Sequence, residues 1–285
     1  MSDSQQQVLP HQSLPGDEGS MHPRASHDDP RYRGSGKLDG KVAIITGADS
    51  GIGRAVAIAF AKEGARCVLS YLDEHEDAED SRQQVQRHGG DCLLVPGDLR
   101  SRAHCEHVVE QAMSRYGAID VLVNHAGEQY QTDSLEDVDD QALRHVFETN
   151  VYSMFYLSRA ALRHMKPGAA IVNTVSVVAY KGQPLLLDYS ASKGANLAFT
   201  RALAASLADK GIRVNGVAPG PVWTPLIPAT FHGDKLENFG KDVPLGRAGQ
   251  PCELAPAYVY LASGIDSAWV TGQVLHVNGG VPVNG

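Results

Sequence analysis

Tyr189 and Lys193 stand four residues apart in "DYSASKG", and Ser176 lies thirteen residues before the tyrosine in "NTVSVVAYKG". On a helix that spacing puts the phenol and the ammonium on one face. A free tyrosine titrates near ~10, too high for a base at neutral pH, and acid–base catalysis works best when the group's pKa lies near the working pH. An ammonium one turn away favours the phenolate. The three residues together suit proton transfer to or from a substrate oxygen, with the serine hydroxyl as hydrogen-bond donor. Taken singly, each has a plainer reading as a half-buried tyrosine, a surface lysine or a strand-end serine. A Ser-His-Asp hydrolase would carry G-x-S-x-G around its nucleophile, and "NTVSVVA" lacks it.

A proton shuttle needs a partner reaction, and the glycine loop supplies a candidate. "TGADSGIG", Thr46–Gly53, follows an apolar run and opens an alanine-rich stretch. Gly47, Gly51 and Gly53 let the backbone turn tightly and leave room for a pyrophosphate. The helix N-terminus beyond them offers free N–H groups and a positive dipole end. Further on, "PGDLR" places Asp98 either against an adenine amino group or as the N-cap of the next helix. "NHAG", Asn124–Gly127, ends the fourth apolar run with small residues that leave room for a ribose. At the end of the second run, "RCVLSYLDEHE" puts Ser70 and Tyr71 where NAD-binding sheets usually carry an acid. With Ser70 and Arg54 as candidate partners of a 2′-phosphate, NADP is favoured over NAD, with use of both allowed. Asp73 and Glu74 are the counter-signal.

These groups need a scaffold. Short β-branched runs occur at 42–46, 67–71, 92–96, 120–124, 170–175, 213–218 and 274–278, with helical windows starting near Ile52, Glu74, Arg102, Asp140, Asp188 and Pro251. Such alternation predicts an α/β fold, a doubly wound seven-stranded parallel sheet with helices on both faces. The expected organisation is a polar arm over 1–36 and one Rossmann-type domain over 37–285. A Pro- and Gly-rich insert at about 221–247 is expected to form a lid over the site. Its Trp223, Leu226, Ile227 and Phe231 suggest an apolar pocket. The arm reads as a tail with no core of its own, dispensable for the chemistry, its "PGDEGSMHP" and "YRGSG" segments draped over a neighbouring subunit.

Composition narrows the partners. The 285 residues are 42% hydrophobic and 20% charged, with net charge −8, an ordinary globular balance. The acidic surface argues against nucleic acid. No apolar run is long enough to span a bilayer, and the first twenty residues lack the pattern of a secretory signal. Cys67, Cys92, Cys105 and Cys252 form no C-x-x-C pair, so reduced thiols in a cytoplasm are expected. His104 and His107 read as a solvated helix face, and no metal site is expected.

"TGADSGIG", "NHAG", Asn150 in "FETNVYSMF", Ser176 and "YSASK" fall in the order and spacing of the short-chain dehydrogenase/reductase family, which the chain resembles from about Lys37 to about Gly280. "VAPGPVWT" and "TGQVLHVNGG" are two further landmarks. Within that family it is similar to a bacterial branch with an N-terminal arm, which includes general-stress oxidoreductases and NADP-dependent aldehyde reductases. The resemblance implies reduction of an aldehyde or ketone, or the reverse, with Tyr189, Lys193, Ser176 and Asn150 as catalytic residues. Ser176 would also bind substrate, Lys193 would hold the nicotinamide ribose, and Asn150 would position a water. The implied cofactor contacts are Gly47, Asp49, Ser50, Gly51, Ile52 and Gly53, then Tyr71, Asp98 and Leu99, then Asn124, Ala126 and Gly127. Tyr189, Lys193, Pro219, Gly220, Val222 and Thr224 complete them. It also implies a homotetramer, consistent with the alanines of helix 188–209. His125, where many members have asparagine, is expected to have little chemical consequence. Two other readings stand beside this one: a 3-oxoacyl thioester reductase, and a dinucleotide sensor without chemistry.

Overall fold

The structure, a computed structural model, describes residues 12–283. Seven strands form one parallel sheet: β1 (Val42–Thr46), β2 (Arg66–Tyr71), β3 (Cys92–Pro96), β4 (Val121–Asn124), β5 (Ala170–Thr174), β6 (Arg213–Pro219) and β7 (Val274–Val277). Their order is β3-β2-β1-β4-β5-β6-β7. The order reverses between β1 and β4, and a doubly wound sheet opens a ligand crevice at such a point.

The helices are α1 (Gly51–Lys62), α2 (His75–Arg87), α3 (Arg102–Tyr116), α4 (Asp140–Phe147), α5 (Ser153–Ala161), α6 (Val178–Lys181), α7 (Leu187–Leu207), α8 (Leu226–Thr230), α9 (Asp234–Glu237) and α10 (Pro251–Ala262). Alternate strand residues feed two cores. Ala43, Ile45, Cys67, Leu69, Val121 and Val123 pack with Phe60 of α1 and Tyr258 of α10. Ile44, Val68, Leu122, Ile171 and Val214 pack with α3, α5 and α7 on the other face. Burial on both faces explains why these strands read as unbroken apolar runs. Local chemistry sets the helix ends: Asp139 accepts from the amides of Gln141 and Ala142 to cap α4, and Gly117 takes φ 72° to stop α3.

Two departures from the sequence reading concern function. The helical window from Asp140 is not continuous: a π turn at Glu148–Tyr152 separates α4 from α5 and contains Asn150. Such turns favour functional positions because they redirect side chains that a regular helix would aim elsewhere. The arm is the second. Residues 12–36 pack against their own chain. Glu63 accepts from the amides of Ser35 (2.8 Å) and Lys37 (3.0 Å), Lys62 pairs with Asp28, and Met21 is 1% exposed. The arm does contribute to a core, then, although its composition shows no periodicity. The first eleven residues lie outside the described part.

Candidate active site

The glycine loop leaves β1 with Gly47 at φ 63° and enters α1 with Gly51 at φ 50°, both in the left-handed region that favours glycine. A Cβ on Gly53 would fall 1.9 Å from the Gly47 carbonyl oxygen, so the loop closes on itself only with glycine there. Thr46 Oγ1 accepts from the amides of His125 (2.9 Å) and Ala126 (3.0 Å), which ties the ends of β1 and β4 together at the crevice.

The proton-transfer residues meet on the far side. Lys193 Nζ lies 5.4 Å from the Tyr189 ring centroid and donates to the Thr174 carbonyl at 3.0 Å. Burial pushes the Tyr189 phenol up to about 12, with the Ser176 hydroxyl pulling the other way. Burial also brings the Lys193 ammonium down to about 8. Burial thus favours the protonated phenol. Asn150 braces the arrangement. Its Oδ1 accepts from the Glu128 amide (2.8 Å), and its Nδ2 donates to the Glu128 carbonyl (2.9 Å) and to Ser192 Oγ (3.0 Å). Ser192 Oγ in turn donates to the Tyr189 carbonyl at 2.8 Å. A Cβ on Gly127 would lie 3.2 Å from Asn150 Oδ1 and 3.5 Å from Lys193 Nζ, so the bare backbone at 127 keeps these two polar groups close.

Glycine loop and proton-transfer residues line one cleft of about 900 Å³. Of the site residues expected from sequence, Gly53, Asn124, Asn150, the phosphate candidates Ser70 and Arg54, and Trp223 do not line it, and the rest do. Gly53 faces the loop itself. The Asn124 side chain turns into the sheet, where Nδ2 donates to Asn173 Oδ1 at 2.9 Å and is 3.3 Å from Ser158 Oγ. Asp98 reaches the cleft but is held by Arg100 through two bonds to Oδ2, at 2.9 and 2.7 Å. The segment 221–247 contains α8 and α9 and is tied to Gln129, whose Nε2 donates to Thr230 Oγ1 at 3.1 Å.

Arg54 is not where a 2′-phosphate could meet it. It is 3% exposed and turned toward α2. There Nε donates to Ser81 Oγ (2.8 Å), Nη1 to Asp80 (2.9 Å), and Nη2 to the carbonyls of Asp49 (2.7 Å) and Asp77 (2.9 Å). The rotation of α1 decides this, and spacing from the glycine loop does not reveal it. Ser70 is fully buried in β2. Tyr71 does line the cleft, its hydroxyl 2.9 Å from His75 Nδ1. Asp49 and Glu74 line the cleft as well. Burial, the Asp73 side chain and the Asp49 carboxylate push the Glu74 carboxyl up to about 8.

Two contributions were absent from the sequence reading. Thr174 links the site to its base: its carbonyl receives Lys193, and its Oγ1 is 3.1 Å from His125 Nδ1 and 2.7 Å from the Tyr258 hydroxyl. Burial drives the His125 imidazole down to about 3, so it acts as a neutral spacer. The arm's Leu14 and Pro15 also line the cleft, and no local pattern marks them. Among the described residues, no group of three or more His, Cys, Asp or Glu could hold a metal ion. No helix among them is long and apolar enough to cross a membrane.

A family described as enoyl-(acyl carrier protein) reductase matches residues 47–282. The chain is 51% identical to NADPH-dependent aldehyde reductase 1, chloroplastic, of Arabidopsis thaliana, over 95% of this chain and 96% of that one. The chain belongs to the short-chain dehydrogenase/reductase family. A second relative in this family, glucose and ribitol dehydrogenase of Daucus carota, is 49% identical over 96% of both chains. Among solved short-chain dehydrogenase/reductase folds, 3-ketoacyl-(acyl-carrier-protein) reductase from Brucella melitensis complexed with NADH aligns with TM-score 0.77 and 33% identity, over 85% of this chain and 98% of that one. The doubly wound sheet and the oxidoreductase class are thereby established.

Proposed function

We propose that the protein interconverts a small aldehyde or ketone and its alcohol, with a nicotinamide dinucleotide as redox partner. The observation that carries this reading is the convergence of Tyr189, Ser176 and Lys193 with the glycine loop on one cleft. The residues fit the dinucleotide. Gly47 approaches Ala126 closely, a Cβ there falling 3.1 Å from its Cα, and the Lys193 ammonium lies 3.5 Å from where a Cβ on Gly127 would be. When bound, the reduced cofactor supplies hydride to the carbonyl carbon.

The protein's own part is protonic. Tyr189, protonated at neutral pH, gives its Oη proton to the carbonyl oxygen as negative charge builds there. The Ser176 hydroxyl donates a hydrogen bond to the same oxygen. The Lys193 ammonium stabilises the phenolate left behind, and Asn150 holds the Glu128 loop and α7 in register around it. The names of the relatives support small aldehydes and polyols as the substrates to try first. Without Arg54, and with Asp49 and Glu74 in the wall, the cleft lacks the phosphate pairing that favoured NADP. We read it as accepting NADPH and NADH alike. A homotetramer in a reducing cytoplasm suits the exposed alanine face of α7 and the four free cysteines.

The test is a panel of aldehydes, ketones and polyols with purified protein and each cofactor, followed by nicotinamide absorbance. Carbonyl-dependent oxidation of NADPH and NADH with kcat/KM values within about tenfold of each other is expected. No turnover with any member would sink the reading in favour of a dinucleotide sensor.

A further inference from the structure

The arm meets both walls of the cleft, each time through a buried side chain. On the cofactor wall Ser50 occupies the N-cap position of α1 but caps nothing; its hydroxyl donates to Asp49 Oδ2 at 2.7 Å. The first helical amide, Gly51 N–H, donates instead to Glu18 Oε2 at 2.9 Å. Glu18 is 4% exposed, the same oxygen lies 3.1 Å from His27 Nε2, and its own amide donates to Asp77 Oδ2 at 3.0 Å. Burial pushes the Glu18 carboxyl up, but His27, the Gly51 amide and Arg54 outweigh it and hold the carboxyl below its usual range. The cap thus comes from a carboxylate thirty-three residues upstream.

On the lid wall, Gly16 sits at φ 92° against Pro225, where a Cβ would lie 2.6 Å from the carbonyl oxygen. Met21, 1% exposed, fills a cluster with Leu186, Trp223, Ile227 and Phe231, and Tyr189 packs against that cluster. Trp223 Nε1 donates to the Pro23 carbonyl at 2.7 Å. The two walls nearly touch beneath the strap: a Cβ on Gly51 would lie 3.1 Å from Thr224 Cγ2.

We propose that Glu18 and Met21 are positioning residues of the active site. The arm is a strap that sets the glycine loop against the lid, Glu18 governing affinity for the dinucleotide and Met21 affinity for the carbonyl substrate. The proposal rests on the dinucleotide reading of the cleft but not on the identity of the substrate. The physical case is preorganisation. An uncapped first turn frays, and a ligand that binds its amides must then order it. Opposing this, a carboxylate beside a pyrophosphate repels it. Here the Gly51 amide and Arg54 offset that charge, so loss of the cap is the larger effect.

The test uses the full chain with Glu18→Ala, Glu18→Gln, Met21→Ala and Gly16→Ala. NADPH and NADH dissociation constants come from fluorescence titration without substrate; kcat and KM for an aldehyde come at saturating cofactor. Hydrogen exchange is followed over residues 47–54. Glu18→Ala is expected to weaken cofactor binding roughly tenfold, the scale of a lost N-cap, and to speed exchange of the loop while kcat stays within about twofold. Glu18→Gln keeps an oxygen acceptor and should recover most of the affinity and protection. Met21→Ala should raise KM for the aldehyde roughly tenfold with cofactor affinity retained, since truncating a buried side chain costs on this scale. Gly16→Ala, which pushes the strap off Pro225, should move both quantities. If Glu18→Ala unfolds the chain, Glu18→Gln against Gly16→Ala makes the same comparison. Cofactor binding by Glu18→Ala as tight as, or tighter than, the unaltered chain overturns the strap. Failure of the unaltered chain to bind either cofactor instead overturns the dinucleotide reading.

Discussion

Tyr189 and Lys193 line the same cleft, and burial opposes the charge of each. For tyrosine this keeps a proton in place for donation. Tyr189→Phe keeps the ring and removes that proton, so kcat should fall by roughly 10²–10⁴-fold, with the cofactor dissociation constant within about twofold. Stopped-flow absorbance and a binding titration on one preparation check it; near-normal turnover would remove Tyr189 from the chemistry. For lysine the buried charge costs stability. Its pKa falls to about 8 in the folded chain against an ordinary 10.5. Between those values the unfolded chain binds more protons, so stability rises with pH across that window, and below about pH 8 the full cost is present. Lys193→Met should therefore stabilise the cofactor-free protein by about 2 kcal/mol at pH 7, after allowing for the lost bond to Thr174. The gain should pass through zero and become a small loss, that of the Thr174 bond, by about pH 10.5. Urea melts at pH 7 and pH 10 measure it, and a gain that does not change with pH would show that packing, not charge, sets the effect.

At the scale of elements, the site depends on how closely three backbones approach. The glycine loop closes because Gly53 has no Cβ to strike the Gly47 carbonyl, 1.9 Å from where that atom would be. Gly53→Ala must therefore open the loop, and should weaken either cofactor by at least roughly a hundredfold while costing about 1–3 kcal/mol of stability. Calorimetric titration and a thermal melt check both; cofactor binding within a few-fold of normal would mean that the loop relaxes freely. The segment 221–247 is tied by Gln129 on Thr230, by Trp223 on the Pro23 carbonyl and by a small apolar cluster. Gln129→Leu removes the donor that faces Thr230 and should raise KM for substrate several-fold with little change in kcat. An unaltered KM would place lid control elsewhere.

The molecule as a whole leaves apolar surface uncovered on α5. Phe155 is 49% exposed and stacks on Phe199 with ring centroids 4.2 Å apart; Tyr152 beside it is 47% exposed. The exposed alanines of α7, among them Ala191, Ala198 and Ala202, continue the face. Two copies meeting there would approach closely, because alanine keeps backbones near one another. Phe155→Asp should then halve the mass seen by sedimentation velocity and lower the melting temperature by several degrees. A mass identical to that of the unaltered chain would exclude this face from assembly.

Seven strands and the helices between them were legible in the sequence because burial on both faces of a parallel sheet leaves continuous β-branched runs. Tyr189, Lys193, Ser176 and the three glycines were legible because their spacing is local: one helical turn, or one tight turn after a strand. What the sequence could not decide depends on rotation and on distant packing. Arg54 follows the glycine loop closely, yet the roll of α1 against α2 aims it away from the cleft. Asn124 ends a strand at the crevice, yet its side chain faces the other side of the sheet. The helix over Asn150 reads as continuous, and the π turn comes with long-range bonds from Asn150 to Glu128 and to Ser192 of α7. The arm has neither period nor motif, so nothing in its own residues announces Glu18 as the cap of α1 or Met21 as part of the lid cluster. Those contacts join residues thirty to two hundred positions apart, and the free energy that favours them exists only once the elements they join have packed together.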